Sequence, residues 1–185
     1  MKTKLPQRKH SESGMTLIEL LIAGFVLVFG MLSIVALLET AVGNNGRSKI
    51  DSSATMLTQA VTDQISAKMA GGGPGSITDC NGTGTVHVID DGEDLLIGAN
   101  ILAGTGDIDF TQSQGGIPAN YYMNFVQCDG NGNAQLTYDV RWHVQPLSGT
   151  TYLVTVGAKP AASSLPVRFS FSIPVNMRAY VGSNP

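Results

Sequence analysis

The stretch Gly14-Met15-Thr16-Leu17-Ile18-Glu19-Leu20-Leu21, with the apolar run that continues to Leu38, decides how this chain is built. No charge occurs from Leu20 to Leu38, and helical rise of ~1.5 Å per residue makes that run about 28 Å long. The length matches the ~30 Å hydrocarbon core of a bilayer. Apart from Ser33 and the small residues the run is apolar on every side, where a globular core helix would keep a polar face. Glu19 stands in the first turn. A carboxylate there costs several kcal/mol unless it is paired, so it marks a functional position.

Charge is distributed unevenly around this run. Residues 1–14 hold Lys2, Lys4, Arg8 and Lys9 against Glu12, whereas the whole chain of 185 residues carries a formal −3. Basic residues before an apolar span stay on the cytoplasmic side, so residues 1–14 are expected there and everything beyond Leu38 is expected to be exported. A secretory signal would be cut after its apolar region; here the candidate cut lies before it, and the apolar segment would stay. Beyond Ala70, Arg141, Lys159, Arg168 and Arg178 face nine acidic residues. Such an acidic region argues against binding a nucleic-acid backbone.

After Glu39 the pattern changes. Gly43-Asn44-Asn45-Gly46 is a poor helix stretch, because each Gly costs ~1 kcal/mol relative to Ala. Ile50, Ala54, Leu57, Val61 and Ile65 then recur at helical spacing, with Asp51, Ser52, Ser53, Thr58, Gln59, Asp63 and Gln64 on the other faces. The helix is expected to stop near Ala70, at Gly71-Gly72-Gly73-Pro74-Gly75. If continuous from Met15 it would be ~84 Å long, too long for a small domain to bury.

The remainder reads as β-structure. Strands are expected at Thr85–Ile89 and Asp94–Gly98 around the turn Asp90-Asp91-Gly92-Glu93, and at Tyr121–Cys128. Residues 98–119 read as a long loop with a short strand at Ile108–Phe110. Leu136, Tyr138, Val140, Trp142 and Val144 alternate with Gln135, Thr137, Asp139, Arg141 and His143, which predicts one buried and one wet face. Pro146–Thr150 is expected to turn the chain into a strand with Tyr152, Val154 and Val156 inward. After a link over Lys159–Pro166, Val167, Phe169, Phe171 and Ile173 form the last inward row. The fold class is therefore α+β: a long N-terminal helix, membrane-spanning in its first half and amphipathic in its second, packed on an antiparallel sheet. The expected organisation is 1–14 leader, 15–38 membrane or filament-core helix, 39–70 amphipathic helix and 71–185 exported sheet domain.

Gly14 through Leu21 resemble the class III signal of type IV pilins and pseudopilins: Gly, hydrophobic, Thr, Leu, hydrophobic, Glu, then an unbroken apolar helix. The resemblance implies cleavage between Gly14 and Met15 by a prepilin peptidase, N-methylation of Met15, and a role for Glu19 in filament assembly. It implies as partners the membrane before assembly, an inner-membrane assembly platform and other pilin subunits contacted through the helix. It implies a final place in a pilus or pseudopilus. The segment Met56–Ile65, with Trp142 in a later strand, resembles the PilV-type minor pilins. Ala36 stands where major subunits usually carry Pro, which points to a minor subunit or moves the flexible point to Gly43–Gly46. The alternatives are a type II secretion pseudopilin and a membrane-anchored adhesion domain that never polymerises.

Cys80 and Cys128 are the only cysteines and both lie in the part expected to be exported, where an even pair suggests a disulfide. The alternative is two separate buried thiols. No Cys-x-x-Cys or paired His accompanies them, so no metal site is expected. Asp129-Gly130-Asn131-Gly132-Asn133 begins like a calcium loop but continues with Ala134 and places Val140 where the bidentate Glu belongs; it reads as a hairpin turn. Asp90, Asp91, Glu93 and Asp94 read as a solvated turn. His10 falls in the leader, and His87 and His143 in strands, with His143 outward. No nucleophile elbow, phosphate loop or Ser/His/Asp ordering is visible, so neither an enzyme nor a cofactor is expected.

Overall fold

The computed structural model describes residues 14–73, 75–82, 84–91, 98–161 and 173–183. The chain divides between Asn44 and Asn45 into two compact units. Helix α1 (Leu17–Met69) supplies most of the described first unit and opens the second. In the first unit every side chain from Gly14 to Val42 is exposed. This part of the helix is long and apolar enough to cross a membrane.

In the second unit the helix lies on a sheet. Ala54, Leu57, Val61 and Ile65 are buried, Ile50 partly so, and the stripe continues to Met69. Thr58 and Thr62, at 0% and 6% exposure, form a second buried row, although Thr58 was expected on a polar face. Their hydroxyls donate to the carbonyls of Thr55 and Thr58 within the helix, so a β-branched threonine can pack here like a valine.

Two antiparallel sheets follow. Strands β1 (Gly75–Thr78) and β2 (Val86–Ile89) form a hairpin, and β1 was not expected in that glycine-rich stretch. Strands β3 (Tyr122–Cys128), β4 (Ala134–Ser148), β5 (Thr151–Pro160) and β6 (Val175–Gly182) form a meander in the order β3-β4-β5-β6. The layout is α+β, a long N-terminal helix packed on antiparallel sheet, as expected. One face of the meander carries Leu136, Tyr138, Val140, Trp142 and Val144 of β4 with Val154, Val156 and Ala158 of β5, all buried in the core with the helix.

Several boundaries differ from expectation. Strand β4 continues through Pro146, and the turn falls at Gly149-Thr150. Pro146 is tolerated because it adjoins a register shift between Pro146 and Ser148, where the ladder is already irregular. The last strand is Val175–Gly182, with Val175, Met177, Ala179 and Val181 at alternating positions. Ile173, expected inward, is 64% exposed because it precedes that strand. Val167, Phe169 and Phe171 lie outside the described residues, as does most of the strand expected at Asp94–Gly98.

The face of β4 expected to be wet is exposed at Gln135 and half-buried at Thr137 and Asp139, but covered at Arg141 and His143. Residues 98–112 fold over that part, and Arg141 and His143 are only 4% and 7% exposed. Gly98 bridges His143 with φ 89°, and a Cβ there would stand 2.3 Å from the Trp142 carbonyl oxygen, so only glycine fits the crossing. His143 Nδ1 lies 2.7 Å from the Ala99 carbonyl. Arg141 makes a two-bond pair with Asp139 and donates to the carbonyls of Asp109 (3.2 Å) and Gln112 (2.6 Å), with its guanidinium over the Phe110 ring. Arg178 of β6 pairs with Asp107 at 2.9 Å and donates to the Thr105 carbonyl. The carbonyls of Thr105, Asp109 and Gln112 are thus satisfied by side chains of the strands beneath. Ile108, expected in a short strand, makes a single bridge to Ile101 and packs against Gly157 of β5.

Candidate functional site

Two groups of expected functional residues are described, one in each unit. The first is the helix start. Thr16 precedes the first helical residue, and its backbone N–H and hydroxyl both donate to Glu19 Oε2 at 2.9 Å. In return the Glu19 N–H donates to Thr16 Oγ1 at 3.4 Å. This reciprocal pair is a capping box, which satisfies donors that a helix N-terminus otherwise leaves open. The Thr-x-x-Glu spacing of Thr16 and Glu19 is the sequence signal of such a box; it was not used in reading the sequence, and it gives Thr16 a part that the resemblance alone did not assign. Glu19 remains exposed, and among the described residues no hydrogen bond reaches its other oxygen, Oε1. Gly14, Met15, Thr16, Glu19, Ile22 and Ala23 border an open groove along the helix start.

The second group surrounds the cysteines. Cys80 and Cys128 are joined in a disulfide with Cα atoms 6.1 Å apart. Cys80 follows β1, Cys128 ends β3, and the Cys80 N–H donates to the Val126 carbonyl at 3.5 Å. Asp79 beside it is 6% exposed. Its Oδ1 accepts from the N–H groups of Asn81 and Thr85, each at 3.0 Å. Its Oδ2 accepts from the Val126 N–H at 3.1 Å and lies 3.1 Å from His87 Nε2. Sequence reasoning passed over Asp79, because its partners are scattered at 81, 85, 87 and 126.

The remaining candidates are structural. Asp129 closes the β3–β4 hairpin by accepting from the N–H groups of Asn131 and Asn133 and from the Asn133 amide, in agreement with a turn. Asp90 and Asp91 depart from the expected solvated cluster. Asp91 is buried and pairs with Lys68 at 3.1 Å, while the Asp90 carbonyl accepts from the Trp142 indole at 2.9 Å. The fully buried Trp142 cannot leave its N–H unpaired, and this bond ties Asp90 inward. Glu93 and Asp94 lie outside the described residues. Among the described residues no three His, Cys, Asp or Glu side chains are grouped to hold a metal.

Comparison with protein families, with curated proteins and with solved structures finds no match for this chain.

Proposed function

We propose that this chain is a non-enzymatic structural subunit, a minor prepilin, of a type IV pilus or a related filament. Residues 1–14 are its cytoplasmic leader, cut between Gly14 and Met15, and Met15 is then methylated. The apolar helix holds the subunit in the inner membrane with the sheet domain exported, until an assembly platform transfers it into the filament. There the helix packs against the helices of other subunits.

The observation that carries this proposal is the helix start: a capped Glu19 at the head of an apolar helix that its own chain leaves bare. An apolar surface of this size must be covered by lipid or by further copies of the helix. Thr16 takes only Oε2 of Glu19, so the carboxylate can stay capped within its own helix while Oε1 meets a cation outside. Cleavage after Gly14 would create such a cation, the amine of Met15. In a staggered bundle the Glu19 carboxylate of one subunit pairs with the Met15 amine of the next. A mismatched register buries both charges unpaired, at several kcal/mol each, so the pair selects the axial step.

The test replaces Glu19 by Val. The Glu19→Val chain should be inserted and cleaved like the wild type but be depleted from sheared filaments, measured by mass spectrometry of their subunits. Incorporation equal to wild type would reject the pairing role. Gly14→Val should leave the full-length form in the membrane, because a side chain at the cut would crowd the peptidase's active site.

A further inference from the structure

Asp79 divides its four hydrogen bonds between two tasks. Through Oδ1 it closes the β1–β2 connection on itself, at Asn81 and Thr85. Through Oδ2 it reaches across to the Val126 N–H of β3, with the His87 ring on the same oxygen. Cys80 completes the seam from its own N–H to the Val126 carbonyl. Residues 79 and 80 therefore occupy both backbone polar groups of Val126, two positions before Cys128. None of these bonds involves sulfur, so the reduced chain can make all of them.

We propose that Asp79 is the positioning residue for oxidative closure of Cys80 and Cys128. Its carboxylate docks the β1–β2 turn on the edge of β3 while both thiols are free. The disulfide then closes an assembled clasp instead of drawing together the ends of a 48-residue separation. The oxidant is a small disulfide such as glutathione disulfide. One cysteine thiolate attacks a sulfur of it, releasing one glutathione thiolate and leaving a mixed disulfide. The other cysteine's thiolate then attacks the protein sulfur and releases the second glutathione. The two cysteines lose two electrons and two protons, and both pass to the two glutathione thiols. By linkage, the disulfide holds the Asp79 contacts together as strongly as those contacts favour the disulfide.

Asp79→Asn separates this role from simple stabilisation. The amide keeps an oxygen for Asn81 and Thr85 but turns its NH2 toward the Val126 N–H, so a hydrogen bond becomes a donor–donor contact. His87→Gln removes the charge-assisted partner and keeps the carboxylate. Asp63→Asn, on the exposed face of the helix, makes the same charge change away from the clasp. The full chain in detergent micelles is equilibrated at neutral pH with mixtures of reduced and oxidised glutathione and trapped by alkylation. Mass spectrometry then gives the effective concentration of the two thiols. For Asp79→Asn it should fall roughly tenfold or more, as expected for losing a hydrogen bond to a charged group. His87→Gln should show a smaller fall, and Asp63→Asn none. A residue that merely stabilised oxidised and reduced forms alike would leave the ratio unmoved. A wild-type effective concentration in Asp79→Asn would overturn the proposal, and so would an equal fall in Asp63→Asn. If Asp79→Asn does not fold, a wild-type value in His87→Gln would overturn it.

Discussion

Burial pushes the Asp79 carboxyl upward, but donors at Asn81, His87, Thr85 and Val126 outweigh it and bring the group down to about 2. The sign of its effect on stability follows. An unfolded Asp titrates near 3.8, so the unfolded chain takes up this proton first as the pH falls. The contribution is fully present above about pH 4, amounts to about 2 kcal/mol, and is lost progressively toward pH 2. Urea unfolding of the full chain across pH 2–5 should show that loss in the wild type and a flatter profile in Asp79→Asn. Equal slopes would mean that the carboxylate does not hold the clasp. At this scale Glu19 and Asp79 differ in legibility for a physical reason. The Glu19 partner is three residues away, within one turn of helix, whereas three of the four Asp79 partners come from β2, its approach and β3.

Helix α1 runs unbroken through Gly43-Asn44-Asn45-Gly46, although two glycines there cost ~2 kcal/mol relative to alanines. The division into two units falls inside that stretch. Packing supports the helix from Ile50 onward, and none of residues 43–46 is buried among the described residues. Hydrogen exchange of the full chain in micelles should therefore find the amides near 43–48 opening far more readily than those at 57–65. Gly43→Ala with Gly46→Ala should slow that opening. Uniform protection from 40 to 65 would contradict a weak point there. The strands present the reverse case. Alternation in β4 revealed its inner face, but periodicity says only that the other face differs, not what covers it. Arg141 and His143 look like solvent residues in sequence, and the loop over 98–112 has no pattern that announces a cover. Arg141→Ala would strip partners from Asp139 and from the carbonyls of Asp109 and Gln112. Breaking a buried pair in this way should cost about 3–5 kcal/mol, measured by urea unfolding, and a loss within experimental error would mean the loop is held otherwise.

In the molecule as a whole, the second unit covers one face of its meander with the helix stripe and the Arg141–His143 part of the other with residues 98–112. The first unit leaves its apolar side chains exposed from Leu17 to Val42. The bare first unit was legible early, because an uninterrupted apolar run needs no long-range partner to be recognised. The topology of β1, the length of β4 and the place of β6 were less legible, since strands with glycine, proline or arginine in them depend on pairing that only the folded chain supplies. A sheet domain with its own disulfide, carried on a helix that needs an outside cover, supports the proposed reading as a processed and assembled subunit. The most direct test is the intact mass of the protein recovered from cells that produce it. The mature chain should begin at Met15, carry one added methyl group and retain the disulfide between Cys80 and Cys128. A chain that still begins at Met1, or one cut after Leu38, would contradict the account.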